Sequence, residues 1–75
     1  IFEKNCAKFT NSKYCIAVGN GTDALEIAIE ALNLKKGSEV IVPANTWIST
    51  AEAVTRNNLK VVFCDISLNN YCPTI

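Results

Sequence analysis

A glycine turn between an apolar run and a helical pattern is the feature that most limits how this chain can fold. Gly19 and Gly21 flank Asn20, directly after the apolar residues 14–18 and just before a helical pattern that begins at Asp23. Glycine adopts positive φ angles at no steric cost, so the turn can be sharp. The N–H groups at the start of a helix attract anions, because the helix dipole adds to their partial positive charge. The spacing predicts a phosphate-binding turn; a turn that only redirects the chain is the alternative.

Apolar runs of strand length alternate with helical patterns along the chain. The patterns predict the tail of a helix at 1–9, strands at 14–18, 39–42 and 60–66, and helices at 23–34 and 47–57. Such alternation predicts an α/β fold, here a three-layer βαβαβ segment with parallel strands whose remaining layers lie outside the chain. No repeat or linker divides the sequence, so residues 1–75 are expected to form part of one domain without an internal boundary.

Local signals predict how the two inner helices begin. Asp23 followed by Glu26 fits a capping box, in which the glutamate side chain reaches back to the cap residue. Thr46 is the expected N-cap of the helix at 47–57.

The composition excludes several classes of partner. Seven basic and seven acidic residues are scattered along the 75 residues, so no basic surface for nucleic acid or acidic membranes is expected. The longest uncharged stretch, residues 40–51, is too short to span a membrane. The chain lacks methionine and begins with isoleucine, which predicts a piece of a longer product.

The cysteines favour a reducing environment over a metal site. Cys6, Cys15, Cys64 and Cys72 lack CxxC spacing, and the chain has no histidine, so no metal site is expected. Cys15 and Cys64 fall in apolar runs, where a reduced cysteine behaves as a small hydrophobe. We therefore expect a cytoplasmic protein.

Residues 19–24 (GNGTDA) also satisfy the loose dinucleotide-binding pattern G-x-G-x-x-A. That pattern requires an acidic residue about 20 positions on, at the end of the second strand, to hold the ribose. The second strand ends instead at Pro43, and the next carboxylate is Glu52. A ligand with a single phosphate is thereby favoured, with an NAD-type nucleotide-binding domain as the alternative. A Walker-type loop is excluded, because no Gly-Lys-(Ser/Thr) sequence is present.

Trp47 follows the second strand and is the only tryptophan. The carboxyl ends of parallel strands meet at one edge of a sheet, so this residue and the glycine turn are expected on the same edge. There Trp47 can either lie over a flat ring of a ligand or anchor the loop in the core.

Three segments in order closely resemble the nucleotide-sugar aminotransferases of the DegT/DnrJ/EryC1/StrS family: residues 18–25 (VGNGTDAL), 37–47 (GSEVIVPANTW) and 62–66 (VFCDI). The resemblance implies the early part of the large domain of the aspartate-aminotransferase fold (fold type I), with pyridoxal 5'-phosphate as cofactor. It further implies that Gly21, Thr22 and Asp23 hold the cofactor phosphate through backbone N–H groups and the Thr22 hydroxyl, and that Trp47 stacks on the pyridine ring. The matching residues Asn20, Asn45, Thr46 and Asp65 are expected to shape loops and turns.

The resemblance also implies a function for the whole protein. Members of the family convert a keto group on a nucleotide-linked sugar to an amine, with an amino-acid donor such as glutamate, and act as homodimers. The Schiff-base lysine and the acid that pairs with the pyridine nitrogen come later than residue 75 in the family. No catalytic residue is therefore expected in this chain, and an inert α/β fragment is the expectation for the chain alone.

Overall fold

The computed structural model describes residues 1–74. These residues form α1 (Phe2–Thr10), α2 (Gly21–Ala31), β1 (Glu39–Pro43), α3 (Ile48–Arg56) and β2 (Lys60–Cys64). The predicted α/β class and the order of elements from α2 onward are confirmed. None of the helices in this part of the chain is long and apolar enough to cross a membrane.

β1 and β2 form a parallel pair joined through α3. The register runs from Glu39 opposite Lys60 to Pro43 opposite Cys64. One more hydrogen bond extends the ladder, because the Ala44 N–H donates to the Cys64 carbonyl at 2.9 Å. The carboxyl ends of both strands therefore lie side by side, as the sequence predicted for parallel neighbours.

The core lies between α3 and the sheet, with α2 packed on α3. Val42 of β1, Val54 of α3 and the nearby Leu59 are almost fully buried and form one cluster. Ile29 of α2 packs against this cluster. α3 is the central element, since it contacts α2 and both strands.

Polar groups also tie α2 to the C-terminal end of α3. The Asn57 side chain donates from Nδ2 to the Glu26 carbonyl at 3.1 Å and to the Ala53 carbonyl at 2.9 Å. Arg56 forms ion pairs with Glu26 at 3.2 Å and with Glu52 at 3.6 Å. Half-exposed ion pairs stabilise little, so the half-buried amide of Asn57 is the stronger of the two links.

The strand predicted at 14–18 does not form within residues 1–74. These residues make no ladder with β1 or β2, and Tyr14 and Ile16 are each 76% exposed. The Ala17 N–H donates instead to the Glu3 carboxylate, at 2.7 Å. A strand needs a neighbour that pairs with its N–H and C=O groups, and no segment in the described part of the chain provides one. The sheet there has two strands where three were predicted.

Several element boundaries also differ from the prediction. α2 ends at Ala31, because Asn33 adopts a left-handed φ of 51° that stops the helix. α3 begins at Ile48, one residue later than predicted. β2 ends at Cys64, and Ile66 forms an isolated antiparallel bridge with Pro73.

Candidate cofactor site

The predicted phosphate-binding turn leads directly into the N-terminus of α2. Asn20 is the N-cap, and its Oδ1 accepts a hydrogen bond from the Asp23 N–H at 2.8 Å. The Asn20 carbonyl accepts the Ala24 N–H at 3.0 Å. The predicted capping box of Asp23 and Glu26 is therefore wrong: an asparagine already caps the helix, and Glu26 pairs with Arg56 instead.

Two N–H groups remain available at this helix N-terminus. Those of Gly21 and Thr22 form no hydrogen bond within residues 1–74, whereas the Asp23 N–H is held by Asn20. The space beside Gly21 is open, because a Cβ added there would meet no neighbouring group within 4 Å. Two unpaired donors at the positive end of a helix dipole, next to open space, fit a phosphate group.

Asp23 folds back over the start of the turn. A Cβ added at Gly19 would lie 3.0 Å from the Asp23 Oδ2 atom. A larger residue at position 19 would therefore require the Asp23 carboxylate to move by a few tenths of an ångström. The bond of the turn to Asp23 that the structure shows is the one from the Asp23 N–H to Asn20.

Thr22 links the turn to the following helix. Its hydroxyl donates to the Ser49 Oγ at 3.0 Å, and both residues are half-buried. Ser49 lies in the first turn of α3, so the bond holds the N-termini of α2 and α3 next to each other. Sequence reasoning missed Ser49, because a serine in the first turn of a helix is common and its partner lies 27 positions away.

Trp47 is the N-cap residue of α3 and has an extended backbone, with φ −66° and ψ 143°. It is 77% exposed, so it does not anchor the core of the described residues. Trp47 borders an open recess of about 250 Å³ that is also lined by Ala44, Thr46, Ile48, Ala51 and Phe63. An exposed indole in this position can stack on a flat ring.

The structure therefore brings the predicted residues to one edge of the sheet. The bond from Thr22 to Ser49 places the N-terminus of α2 beside the first turn of α3, two residues after Trp47. Thr46 was predicted to cap α3 but instead shares a hydrogen bond with Thr50, with 3.2 Å between their Oγ1 atoms.

Two loop residues of the resembling motifs lie nearby. Asn45 lies in the bend after β1. Asp65 accepts the Ile66 N–H at 2.8 Å directly after β2, which agrees with a turn-forming role.

The cysteines are all free thiols. Among residues 1–74, no cluster of three or more histidine, cysteine, aspartate or glutamate side chains could hold a metal ion. Partial burial, followed by the nearby Cys6 thiol and Glu3 carboxylate, raises the pKa of the Cys15 thiol. A thiol of this kind stays protonated at neutral pH and is a weak nucleophile.

Comparisons with known proteins identify the class to which this arrangement belongs. The model of the DegT/DnrJ/EryC1/StrS aminotransferase family matches residues 1–75. The chain is 41% identical over 70 residues to the dTDP-3-amino-3,6-dideoxy-alpha-D-galactopyranose transaminase of Aneurinibacillus thermoaerophilus, covering 93% of this chain and 19% of that protein. It is 45% identical over 69 residues to the UDP-2-acetamido-2-deoxy-3-oxo-D-glucuronate aminotransferase of Pseudomonas aeruginosa, covering 92% of this chain and 19% of that protein.

A solved structure has the same local fold. The GDP-4-keto-6-deoxy-D-mannose-3-dehydratase of E. coli, determined with bound hydrated PLP, is 37% identical and superposes with a TM-score of 0.89. The match covers 97% of this chain and 20% of that one. The chain thus spans about a fifth of the length of the relatives described.

The chain belongs to the DegT/DnrJ/EryC1/StrS aminotransferase family. The structural match confirms the predicted fold type I. It also confirms pyridoxal phosphate as the cofactor of the family, since the E. coli relative contains it. This membership replaces the dinucleotide-binding alternative.

Proposed function

We propose that this chain provides the phosphate and ring contacts of a pyridoxal-phosphate site in an aminotransferase. In this proposal the whole protein converts the keto group of a nucleotide-linked hexose to an amine, with an amino acid such as glutamate as nitrogen donor. The observation that carries the proposal is the pair of unpaired N–H groups of Gly21 and Thr22. The exposed Trp47 supports it, because it lies two residues before Ser49, to which the Thr22 hydroxyl bonds. The two aminotransferases described above carry nucleotide-linked sugars in their names.

Each residue of the proposed cofactor-binding set, Gly21, Thr22, Asp23 and Trp47, has its own task. The N–H groups of Gly21 and Thr22 and the Thr22 hydroxyl donate hydrogen bonds to the phosphate. Asp23 keeps the turn in shape through its bond to Asn20. Trp47 stacks on the pyridine ring and limits its tilt. When bound, the cofactor supplies an electron sink for the carbon that exchanges its amine.

The proposal assigns no catalytic residue to this chain. The lysine that bonds to the cofactor and the acid that pairs with its pyridine nitrogen come, in the proposal, from the rest of the protein. We therefore expect residues 1–75 alone to be inactive. A homodimeric and cytoplasmic enzyme is proposed from the family resemblance and from the reduced cysteines.

The test uses the full-length protein, purified in the presence of pyridoxal phosphate. We expect a visible absorption band from bound cofactor that borohydride treatment removes. The protein is then incubated with UDP- and dTDP-linked 3-oxo hexoses and isotopically labelled glutamate, and the nucleotide sugars are analysed by mass spectrometry. The expected product contains the labelled nitrogen, and a reaction without glutamate is the control.

Two outcomes would contradict the proposal in different ways. A colourless protein that takes up no pyridoxal phosphate would refute the cofactor site. Bound cofactor with loss of a sugar hydroxyl, and without uptake of labelled nitrogen, would indicate a dehydratase, the activity named for the E. coli relative.

A further inference from the structure

We propose that Ser49 is a positioning residue for the phosphate of the cofactor. The inference rests on the proposed function, because it concerns the Thr22 hydroxyl that would contact this phosphate. Ser49 acts through Thr22: the two side-chain oxygens lie 3.0 Å apart, across the contact between α2 and α3.

The hydroxyl of Thr22 bonds differently from the hydroxyls of Thr10 and Thr55, which bond to carbonyls of their own helices. Thr10 of α1 donates to the Cys6 carbonyl of its own helix at 2.9 Å, and Thr55 of α3 donates to the Glu52 carbonyl at 3.0 Å. Thr22 lies in the first turn of α2, where no earlier turn of helix offers a carbonyl. Its hydroxyl donates to Ser49 instead, which fixes the Thr22 rotamer at the edge of the phosphate-binding turn.

A change of hydrogen-bond direction would couple Ser49 to a bound anion. A hydroxyl has one hydrogen to donate, and it can also accept. Thr22 can donate to a phosphate once its hydrogen turns away from Ser49. Ser49 then donates its own hydrogen to the Thr22 oxygen, so each oxygen in the series from Ser49 through Thr22 to phosphate has a partner. Hydrogen bonds in series polarise one another, which strengthens the bond from Thr22 to the phosphate.

The contact between α2 and α3 does not depend on this bond alone. The Asn57 side chain links α3 to the Glu26 carbonyl of α2, and Ile29 of α2 packs against the buried cluster that includes Val54 of α3. Removal of the Ser49 hydroxyl leaves these contacts in place. Ser49→Ala is therefore expected to alter the orientation of Thr22 while preserving the packing of the helices.

The experiment measures cofactor binding to the full-length apoprotein by titration. Ser49→Ala is expected to raise the dissociation constant of pyridoxal phosphate about 3- to 10-fold, the effect of one net hydrogen bond. Binding of pyridoxal, which lacks the phosphate, should stay unchanged. The melting temperature of the apoprotein should fall only by the small amount that the loss of one hydrogen bond causes. Ser49→Thr keeps the hydroxyl and should restore pyridoxal-phosphate binding. Thr55→Ala removes a hydroxyl from the other end of α3 and serves as the matched control.

A double-mutant cycle tests whether Ser49 acts through Thr22. In a Thr22→Val background, Ser49→Ala should cause no further loss of pyridoxal-phosphate affinity. Unchanged affinity in Ser49→Ala, or an equal loss for pyridoxal phosphate and pyridoxal, would overturn the inference while the proposed function stands. If the wild-type protein binds no pyridoxal phosphate, the proposed function fails and this inference fails with it.

Discussion

Replacement of Trp47 by alanine tests whether the exposed indole holds the cofactor ring. Trp47 is 77% exposed and lies at an N-cap position without a side-chain capping bond. The substitution therefore removes little buried surface and no capping interaction from the described residues. The melting temperature of the full-length apoprotein is expected to change little.

The loss of cofactor affinity follows from the stacking contact. Aromatic pairs contribute about 0.5–1.5 kcal/mol beyond the burial of their surface. Loss of this contribution raises a dissociation constant about 2- to 12-fold. Burial of the indole face by the bound ring adds to the effect, so about 2-fold is the smallest change consistent with stacking.

The assay titrates apoprotein of the wild type, Trp47→Ala and Trp47→Phe with pyridoxal phosphate and follows the absorption of the bound cofactor. Phenylalanine keeps an aromatic face, so its affinity is expected to lie between the other two. Wild-type affinity in Trp47→Ala, together with a lowered melting temperature of the apoprotein, would refute the stacking role and favour a core anchor.

Three further predictions concern stability and thiol chemistry. Asn20→Ala removes the cap of α2 and should lower the free energy of unfolding of the full-length protein, measured by urea denaturation, by about 1 kcal/mol. Asn20→Asp keeps a capping side chain and is the control. If the alanine variant is as stable as the wild type, Asn20 does not act as a cap. Val54→Ala opens a cavity beside Val42 and Leu59 and should reduce the free energy of unfolding by about 2 kcal/mol. A reduction of less than about 0.5 kcal/mol would contradict the position of Val54 in the core. The raised pKa of Cys15 predicts that iodoacetamide alkylates this thiol slowly at neutral pH and faster as the pH rises, because the thiolate is the reactive form. Mass spectrometry measures the rate at each cysteine. Faster modification of Cys15 than of the exposed Cys72 at neutral pH would contradict this prediction.

Local patterns predicted most of the fold. α2, α3 and the pairing of β1 with β2 follow from apolar periodicity and turn residues, which act over a few positions of the chain. The run at 14–18 has an equally apolar composition, yet it forms no strand within residues 1–74. Strand formation depends on a neighbouring strand, and composition does not reveal whether a neighbour is in reach.

The site was predictable in its outline and less so in its details. The position of Gly21 and Thr22 at a helix N-terminus, and of Trp47 on the same edge, follows from the order of strands and helices. The choice of Asn20 over Asp23 as the cap does not, because both residue types cap helices well. The bond from Thr22 to Ser49 joins residues far apart in the sequence, and only the packing of α2 on α3 brings them together.

A crystal structure of the full-length protein with pyridoxal phosphate tests the central claim most directly. The account predicts phosphate oxygens within about 2.7–3.2 Å of the backbone nitrogens of Gly21 and Thr22, with the pyridine ring against the indole of Trp47. A phosphate bound away from the N-terminus of α2, with Trp47 packed into the protein core, would contradict it.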